Sequence, residues 1–384
     1  MKSWKKVTIE ECVDILGDGL HGTPKYTKDG EYAFINGNNF VDGKIFIKPD
    51  TKKVDFLEFE KYKKSLNDRT IFVSINGTLG RVATYNNEKI VLGKSACYFN
   101  VKNQINKDFI FYVVSSNKFK RYMEIHATGT TIKNFSLKQM RNYSFLLPDI
   151  ETQNKIATIL KTIDSKIENN NKINNNLENQ AVSIYNKLCI DNNSLKYKRG
   201  ILSDIADITM GQSPKGSSYN ENGIGTIFFQ GKAEFGDRFP QVRLYTTEPK
   251  KIACINDTLI SVRAPVGELN IAHTDCCIGR GLAAIRSKSK QQSFIHYTMC
   301  HLKKELDIFN ANGTVFGSIN KISLNNMPII IPPDEIIEQF EKIISPIDSI
   351  IRNNYNENCI LKYIKEFLLS KLISGELDIS NINI

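Results

Sequence analysis

The sequence contains no run of about 18 uncharged apolar residues, the length a membrane-spanning helix needs. Its opening residues, MKSWKKVTIEE, place charges on both sides of a few apolar ones and lack the core of a signal peptide. The chain is therefore expected in the cytoplasm, without a membrane partner. Its eight cysteines include no Cys-x-x-Cys pair and no framework of a secreted disulfide scaffold, so most of them read as ordinary buried thiols. No Walker A loop is present to cradle a nucleotide phosphate. The Asp-Pro-Pro-Tyr and Asn-Pro-Pro-Phe tetrapeptides of amino-methyltransferases are missing too.

What is present is length, apolar content and charge. The 384 residues exceed one typical core, and 41% of them are apolar, enough to bury two. The formal net charge is +10, which suits a polyanionic partner. That charge is unevenly placed. Residues 1–150 hold 24 Lys and Arg against 16 Asp and Glu, and residues 191–333 hold 17 against 12. Residues 151–190 hold 5 against 4, and residues 334–384 hold 5 against 9. Two basic segments thus alternate with two that are not basic.

The chain also repeats itself. From Ala127 to Leu188 it aligns without a gap, at an offset of 184 residues, with Ala311 to Leu372. IDSKIENN, from Ile163, faces IDSIIRNN, from Ile347. Upstream the offset drifts, as loop insertions would cause: Phe109, Ile110 and Tyr112 face Phe294, Ile295 and Tyr297, SINGTLG (Ser74–Gly80) faces SVRAPVG (Ser261–Gly267), and Trp4 faces Tyr197. Two long copies do not make a solenoid; they make one duplicated module and a pseudo-twofold molecule.

Each copy has a mixed part and a helical part. Runs such as RTIFVSI and DTLISVR read as strands, broken by INGNN, NGT and RAPVG turns. One amphipathic helix is predicted over Lys107–Glu124 and its counterpart over Gln291–Asp307. GTTIKNF and GTVFGSI should carry the last turn and strand of each mixed part, and FLLP and IIIP should close its core and launch a helix.

In the helical part, alternating steps of four and three trace a coiled-coil seam. The first seam is Ile156, Leu160, Ile163, Ile167, Asn170, Asn174, Leu177, Ala181, Ile184 and Leu188. The second is Phe340, Ile344, Ile347, Ile351, Asn354, Asn358, Leu361, Lys365, Leu368 and Leu372. Pro346 predicts a kink or a fresh start in the second helix. The short link from Cys189 to Lys196 cannot reach back along a helix of roughly 50 Å, so the second domain belongs at the far end of the first helix. The helices then pair antiparallel, with Asn170 opposite Asn358 and Asn174 opposite Asn354, fixing register.

The predicted fold is therefore α+β: two repeated globular domains, each followed by a long helix, the helices forming an antiparallel coiled coil. The boundaries are 1–149, 150–190, 191–333 and 334–384.

Catalytic patterns are sparse. Asp237, Glu248 and Lys250 have the rough spacing of a restriction-nuclease carboxylate set, but the first copy has no equivalent. His273 with Cys276 and Cys277 lacks a fourth metal ligand and reads as a buried histidine beside inert thiols. Ser74 and Ser261 lie in turns without a paired histidine. The sequons at Asn76 and Asn312 carry no meaning in a cytoplasmic protein.

The repeated GTTIKNFS…LLP segment leads into a helix entry of Gln153, Ile156, Leu160, Ile163 and Asp164. Together with SINGTLGRVA (Ser74–Ala83) and SGELDI (Ser374–Ile379), this resembles the DNA-specificity subunit of Type I restriction-modification systems, over nearly the whole chain. The second copy departs at the helix entry, where Gln339 is shifted relative to Gln153.

The resemblance implies two target-recognition domains, each reading half of a bipartite sequence in double-stranded DNA. It implies helices that act as a ruler and dock two methyltransferase subunits, and possibly restriction (motor) subunits. Those partners would hold S-adenosylmethionine, and ATP with magnesium; this chain would hold no cofactor and no catalytic residue. A stand-alone DNA nuclease and a non-DNA protein scaffold are the alternatives. Candidate DNA contacts are Lys25, Tyr26, Asn36, Asn38, Asn39, Arg81, Lys94 and Lys133 in the first domain. In the second they are Lys215, Tyr219, Gln230, Lys232, Arg263 and Arg280.

Overall fold

The computed structural model describes residues 4–190, 197–311, 317–379 and 382. The chain divides into two compact units, Met1–Asn169 with Glu357–Ile384, and Asn170–Asn356.

The first unit is built on an antiparallel sheet of four strands, in the order Val13–Asp18, Ala96–Val101, Thr70–Ser74 and Val82–Thr84. Thr70–Ser74 is buried along its whole length, as expected of a continuous apolar run covered on both faces. The two polar ends of that strand are satisfied internally. Thr70 donates to Asn100 Oδ1 at 2.7 Å and Ser74 to the Thr78 carbonyl at 2.7 Å. A smaller sheet joins Tyr32–Ile35 in parallel to Ile90–Leu92. Lys5–Thr8 pairs antiparallel with Ser144–Leu147, the strand that leads into the first long helix.

The second unit repeats this plan by itself. Its four-stranded sheet runs Ala206–Met210, Leu282–Ser287, Thr258–Ser261, Leu269–Ile271. Thr226–Phe229 lies parallel to Cys276–Ile278, and Lys198–Ile201 pairs with Pro328–Ile331. The fold is α+β in both.

The helix predicted over Lys107–Glu124 is two helices, Lys107–Ser115 and Asn117–His126. Ser116 breaks it because its backbone is extended (φ −68°, ψ 151°) and its Oγ accepts from Phe119 N at 3.2 Å, starting a new helix. The counterpart divides likewise, into Gln292–His301 and Lys303–Ala311. GTTIKNF is not a strand but a turn closed by bridges from Asn134 to Thr128 and Asn76; a short helix, Leu137–Asn142, then intervenes before the final strand. Of the matching GTVFGSI, residues 313–316 lie outside the described residues, as do residues 191–196 of the expected link.

The first long helix is Ile150–Tyr185, extended by a wider π-type turn over Asn186–Ile190; the second is Asp334–Ser374. Contrary to a fresh start at Pro346, the second helix runs unbroken through it. An interior proline costs about 3 kcal/mol. The buried Phe340, Ile344 and Ile351 around it each return roughly 1.5–3 kcal/mol, which outweighs the break.

All twenty seam positions are buried or half-buried. Within the first unit, Ile156 and Leu160 share a core with Leu369, Leu372 and Ile373, and Lys365 Nζ lies 2.6 Å from Asp164. Within the second, Ala181 and Tyr185 pack with Phe340 and Ile344, while Leu177 packs near Ile347 and Ile351. Asn354 Nδ2 donates to Asn174 Oδ1 at 2.8 Å. Rising numbers on one helix meet falling numbers on the other, so the pairing is antiparallel in each unit. Asn170 and Asn358 are both buried.

Candidate nucleic-acid interface

The turn after the third strand of each main sheet is clamped by a serine. Ser74 Oγ accepts from Arg81 N at 2.8 Å, and Gly80 takes a left-handed φ of 75°. In the second unit Ser261 Oγ donates to the Pro265 carbonyl at 2.7 Å and accepts from Glu268 N at 2.9 Å, with Gly267 at φ 86°. These serines hold turns; they are not placed as nucleophiles.

Other chain segments close on each turn. In the first unit Ile75 N donates to the Ser95 carbonyl at 2.9 Å, Asn76 Nδ2 to the Lys94 carbonyl at 3.2 Å, and Gly77 N to the Lys133 carbonyl at 3.0 Å. Ser95 Oγ then reaches Asn36 Oδ1 at 2.9 Å. Asn36, Arg81, Lys94 and Lys133 thus meet on one rim, and the three cations are exposed without an ion pair among the described residues. In the second unit Val262 N donates to the Gly281 carbonyl at 2.9 Å, Gly281 N to the Gln230 carbonyl at 3.3 Å, and Arg280 N to Ser213 Oγ at 3.3 Å. Gln230, Arg263 and Arg280 share the equivalent rim, with Arg263 bridged to Ser318.

Strand register aligns the two rims. Gly93 N donates to the Ile35 carbonyl, and Gly279 N to that of Phe229, each at 2.8 Å. Lys94 therefore corresponds to Arg280, Asn76 to Arg263 and Arg81 to Glu268. Both glycines are required by close approach: a Cβ at Gly93 would lie 2.3 Å from Asn36 Oδ1, and one at Gly279 would lie 2.9 Å from the Gln230 carbonyl. The result, twice, is a glycine pinned against the sheet that holds the parallel strand pair and followed by an exposed cation. The pattern Gly-Lys-Ser against Gly-Arg-Gly was visible in the sequence, but only strand register pairs it.

The remaining candidates are scattered. Asn39 is buried, its amide donating to the Phe46 carbonyl at 3.0 Å, whereas Asn38 is exposed. Lys25 is exposed and its backbone N donates to Glu58; Tyr26 packs on Phe34 with Lys52 Nζ 4.6 Å above its ring. Sequence reading missed Lys52, whose cation–π contact no local pattern announces. Lys215 is exposed, and Tyr219 is half-buried, donating to the Pro214 carbonyl at 3.0 Å. Lys232 Nζ lies 3.5 Å from Glu268, which also binds Lys303 at 2.7 Å. The Lys303 hydrogen bond holds the Glu268 carboxyl below its usual range, so Lys232 is partly neutralised.

Asp237, Glu248 and Lys250 are exposed, and no hydrogen bond or ion pair among the described residues joins them. His273 is half-buried, its Nε2 2.7 Å from Asn356 Oδ1, beside the buried Cys276 and Cys277. No cluster of three His, Cys, Asp or Glu among the described residues could hold a metal. Gly17, Gly19 and Gly22 have a Gly-x-Gly-x-x-Gly spacing that sequence reading passed over. They end an antiparallel strand with no following helix, so the spacing forms no dinucleotide cradle.

A family model described as Type I restriction modification DNA specificity domain matches residues 1–179 and 196–362. The chain belongs to this family. A Methanocaldococcus jannaschii protein named putative type I restriction enzyme MjaX specificity subunit is 29% identical, over 98% of this chain and 94% of its own length. The HindI specificity subunit of Haemophilus influenzae is 21% identical over 98% of this chain and 100% of its own length. Among solved structures, the Type-I restriction-modification system S subunit from M. genitalium aligns with a TM-score of 0.59 at 18% identity, covering 98% of this chain and 97% of that one; this likeness is one of fold. The chain is thus a type I specificity subunit with two recognition domains, a non-catalytic role. No helix among the described residues is long and apolar enough to cross a membrane.

Proposed function

We propose that this specificity subunit reads a bipartite target in duplex DNA, each recognition domain taking one half through the rim that carries Lys94 or Arg280. The observation behind this is the repeated exposed cation on a glycine that admits no side chain. Phosphates demand such cations for affinity, and base edges are read by Arg, Lys, Asn and Gln beside them.

The long helices measure the gap and dock two methyltransferase subunits, with restriction subunits joining in systems that cut. Support for docking comes from Ile360, Tyr363, Ile364 and Phe367, exposed at helical spacing on the second long helix. The methyltransferase partners supply S-adenosylmethionine for adenine N6 methylation, and the restriction subunits ATP and magnesium, in the cytoplasm.

Mapping methylated adenine across a genome with and without this chain tests the reading. A bipartite motif should vanish on deletion; an unchanged map would end the proposal. In binding assays on that motif, Lys94→Ala or Arg280→Ala should each lower the salt slope by about one if the side chain meets a phosphate. A base contact would instead cost about 1–3 kcal/mol and relax one half-site only.

A further inference from the structure

Each unit contains the same triad around a buried tyrosine, and it joins the recognition domain to the long helices. In the first unit the Tyr112 hydroxyl, on the helix Lys107–Ser115, donates to Asp164 Oδ2 at 2.8 Å. Lys365 Nζ lies 2.6 Å from Asp164 Oδ1 and 5.6 Å from the Tyr112 ring centre. In the second unit the Tyr297 hydroxyl, on the helix Gln292–His301, donates to Asp348 Oδ1 at 3.1 Å. Arg238 Nη2 lies 2.5 Å from the same Asp348 oxygen, and its guanidinium carbon 5.8 Å from the Tyr297 ring centre.

Tyrosine, aspartate and overlying cation recur, but the cation's origin differs. Lys365 comes from the opposite long helix, whereas Arg238 comes from a loop of the recognition domain itself. Two routes to one arrangement, in two copies of a drifted repeat, point to the arrangement rather than to shared ancestry of the cation.

Apolar packing surrounds both triads. Phe109 and Ile110 join the core with Ile156 and Leu160, and Phe294 packs with Phe340. That packing binds the domain to the helices but is non-directional. A hydrogen bond weakens steeply with angle, so each tyrosine–aspartate contact favours one arrangement of helix against helix. Burial raises both tyrosines above their usual range, keeping the hydroxyls as neutral donors.

We propose that Tyr112 and Tyr297, acting through Asp164 and Asp348, are positioning residues that fix the angle at which each recognition domain leaves its helices. They thereby set how strictly the gap between half-sites is measured. The inference rests on the bipartite reading above.

The test uses the full chain assembled with its methyltransferase subunits. Substrates are duplexes carrying the mapped half-sites at the native gap and at one base pair more or less. The readout is the ratio of methylation rates, native gap to altered gap, which does not depend on the folded fraction of a preparation. For Tyr112→Phe and Tyr297→Phe the ratio should fall about ten-fold each, the low end for one hydrogen bond to a charged group, and further for the pair. The native gap should remain the preferred one. An unchanged ratio in the double variant, with methylation at the native gap intact, overturns the proposal alone. Absence of gap dependence in the unaltered complex overturns the bipartite reading and the proposal together.

Discussion

Arg238→Ala should destabilise the second unit by about 3 kcal/mol, the low end for breaking a buried ion pair. The guanidinium is 7% exposed and holds Glu178 at 2.9 Å and Asp348 at 2.5 Å, one from each long helix. It also donates to the Tyr297 hydroxyl at 3.3 Å. Alanine would leave two carboxylates facing one another without a cation. Because Glu178 and Asp348 keep 34% and 22% of their side-chain surface, water can recover part of the loss, which is why the low end applies.

The comparison is Lys44→Ala in the first unit. Lys44 Nζ lies 2.6 Å from Glu168, but the two side chains are 65% and 40% exposed. Exposed pairs are worth about 0–1 kcal/mol, so that loss should be barely measurable. Urea unfolding of both variants beside the unaltered chain checks the contrast. Equal losses would mean that burial does not govern these pairs.

Adding seven residues to each long helix, beside Asn174 and Asn354, should lengthen the preferred gap between half-sites by about three base pairs. Seven residues add about 10 Å of helix, and base pairs rise about 3.4 Å each. Seven is also the period of the seam, so the apolar stripe continues on the same face. The duplex turns once in about 10 base pairs, so the lengthened gap also rotates one half-site by roughly a third of a turn. Methylation should therefore weaken while the preferred gap moves. Insertion into one helix alone puts the paired asparagines out of register and should abolish the preference. Sequencing of methylated adenine in cells expressing each variant gives the gap directly. A gap unchanged by the double insertion would end the ruler proposal.

The helix-entry motif acquires a physical meaning only in the structure. Gln153 is buried, accepts from Asn106 N at 2.9 Å and donates to the Pro148 carbonyl at 2.8 Å. Asn106 in turn caps the helix Lys107–Ser115 through Phe109 N at 2.8 Å. The second copy has Ile337 at the matching position and an exposed Gln339. There Glu341 accepts from Phe294 N at 2.8 Å, and burial raises its carboxyl. The same helix start is thus tied to the long helix by a different residue, which a shifted glutamine could not reveal.

Periodicity and repetition were read from the sequence alone because they record local geometry. Steps of three and four state which face of a helix is apolar, and an offset of 184 residues states that one module occurs twice. Joined to the strand-type runs and the short link after the first helix, they indicated the α+β class, the two long helices and their antiparallel pairing. The break at Ser116 was within reach of the sequence, since a serine before Asn117 is a helix-start signal, but the apolar spacing on either side concealed it.

Only the tertiary structure decided what meets across distance. Arg238 and Asp348 are 110 residues apart, and Ser95 reaches Asn36 across 59. No local pattern encodes such approaches, because the paths of intervening loops set them. The same limit separated Lys94 and Arg280, which are equivalent by strand register, from Arg81 and Arg263, which occupy different stations of the same turn. A side chain's type follows from the sequence; its partner follows from the fold that carries it there.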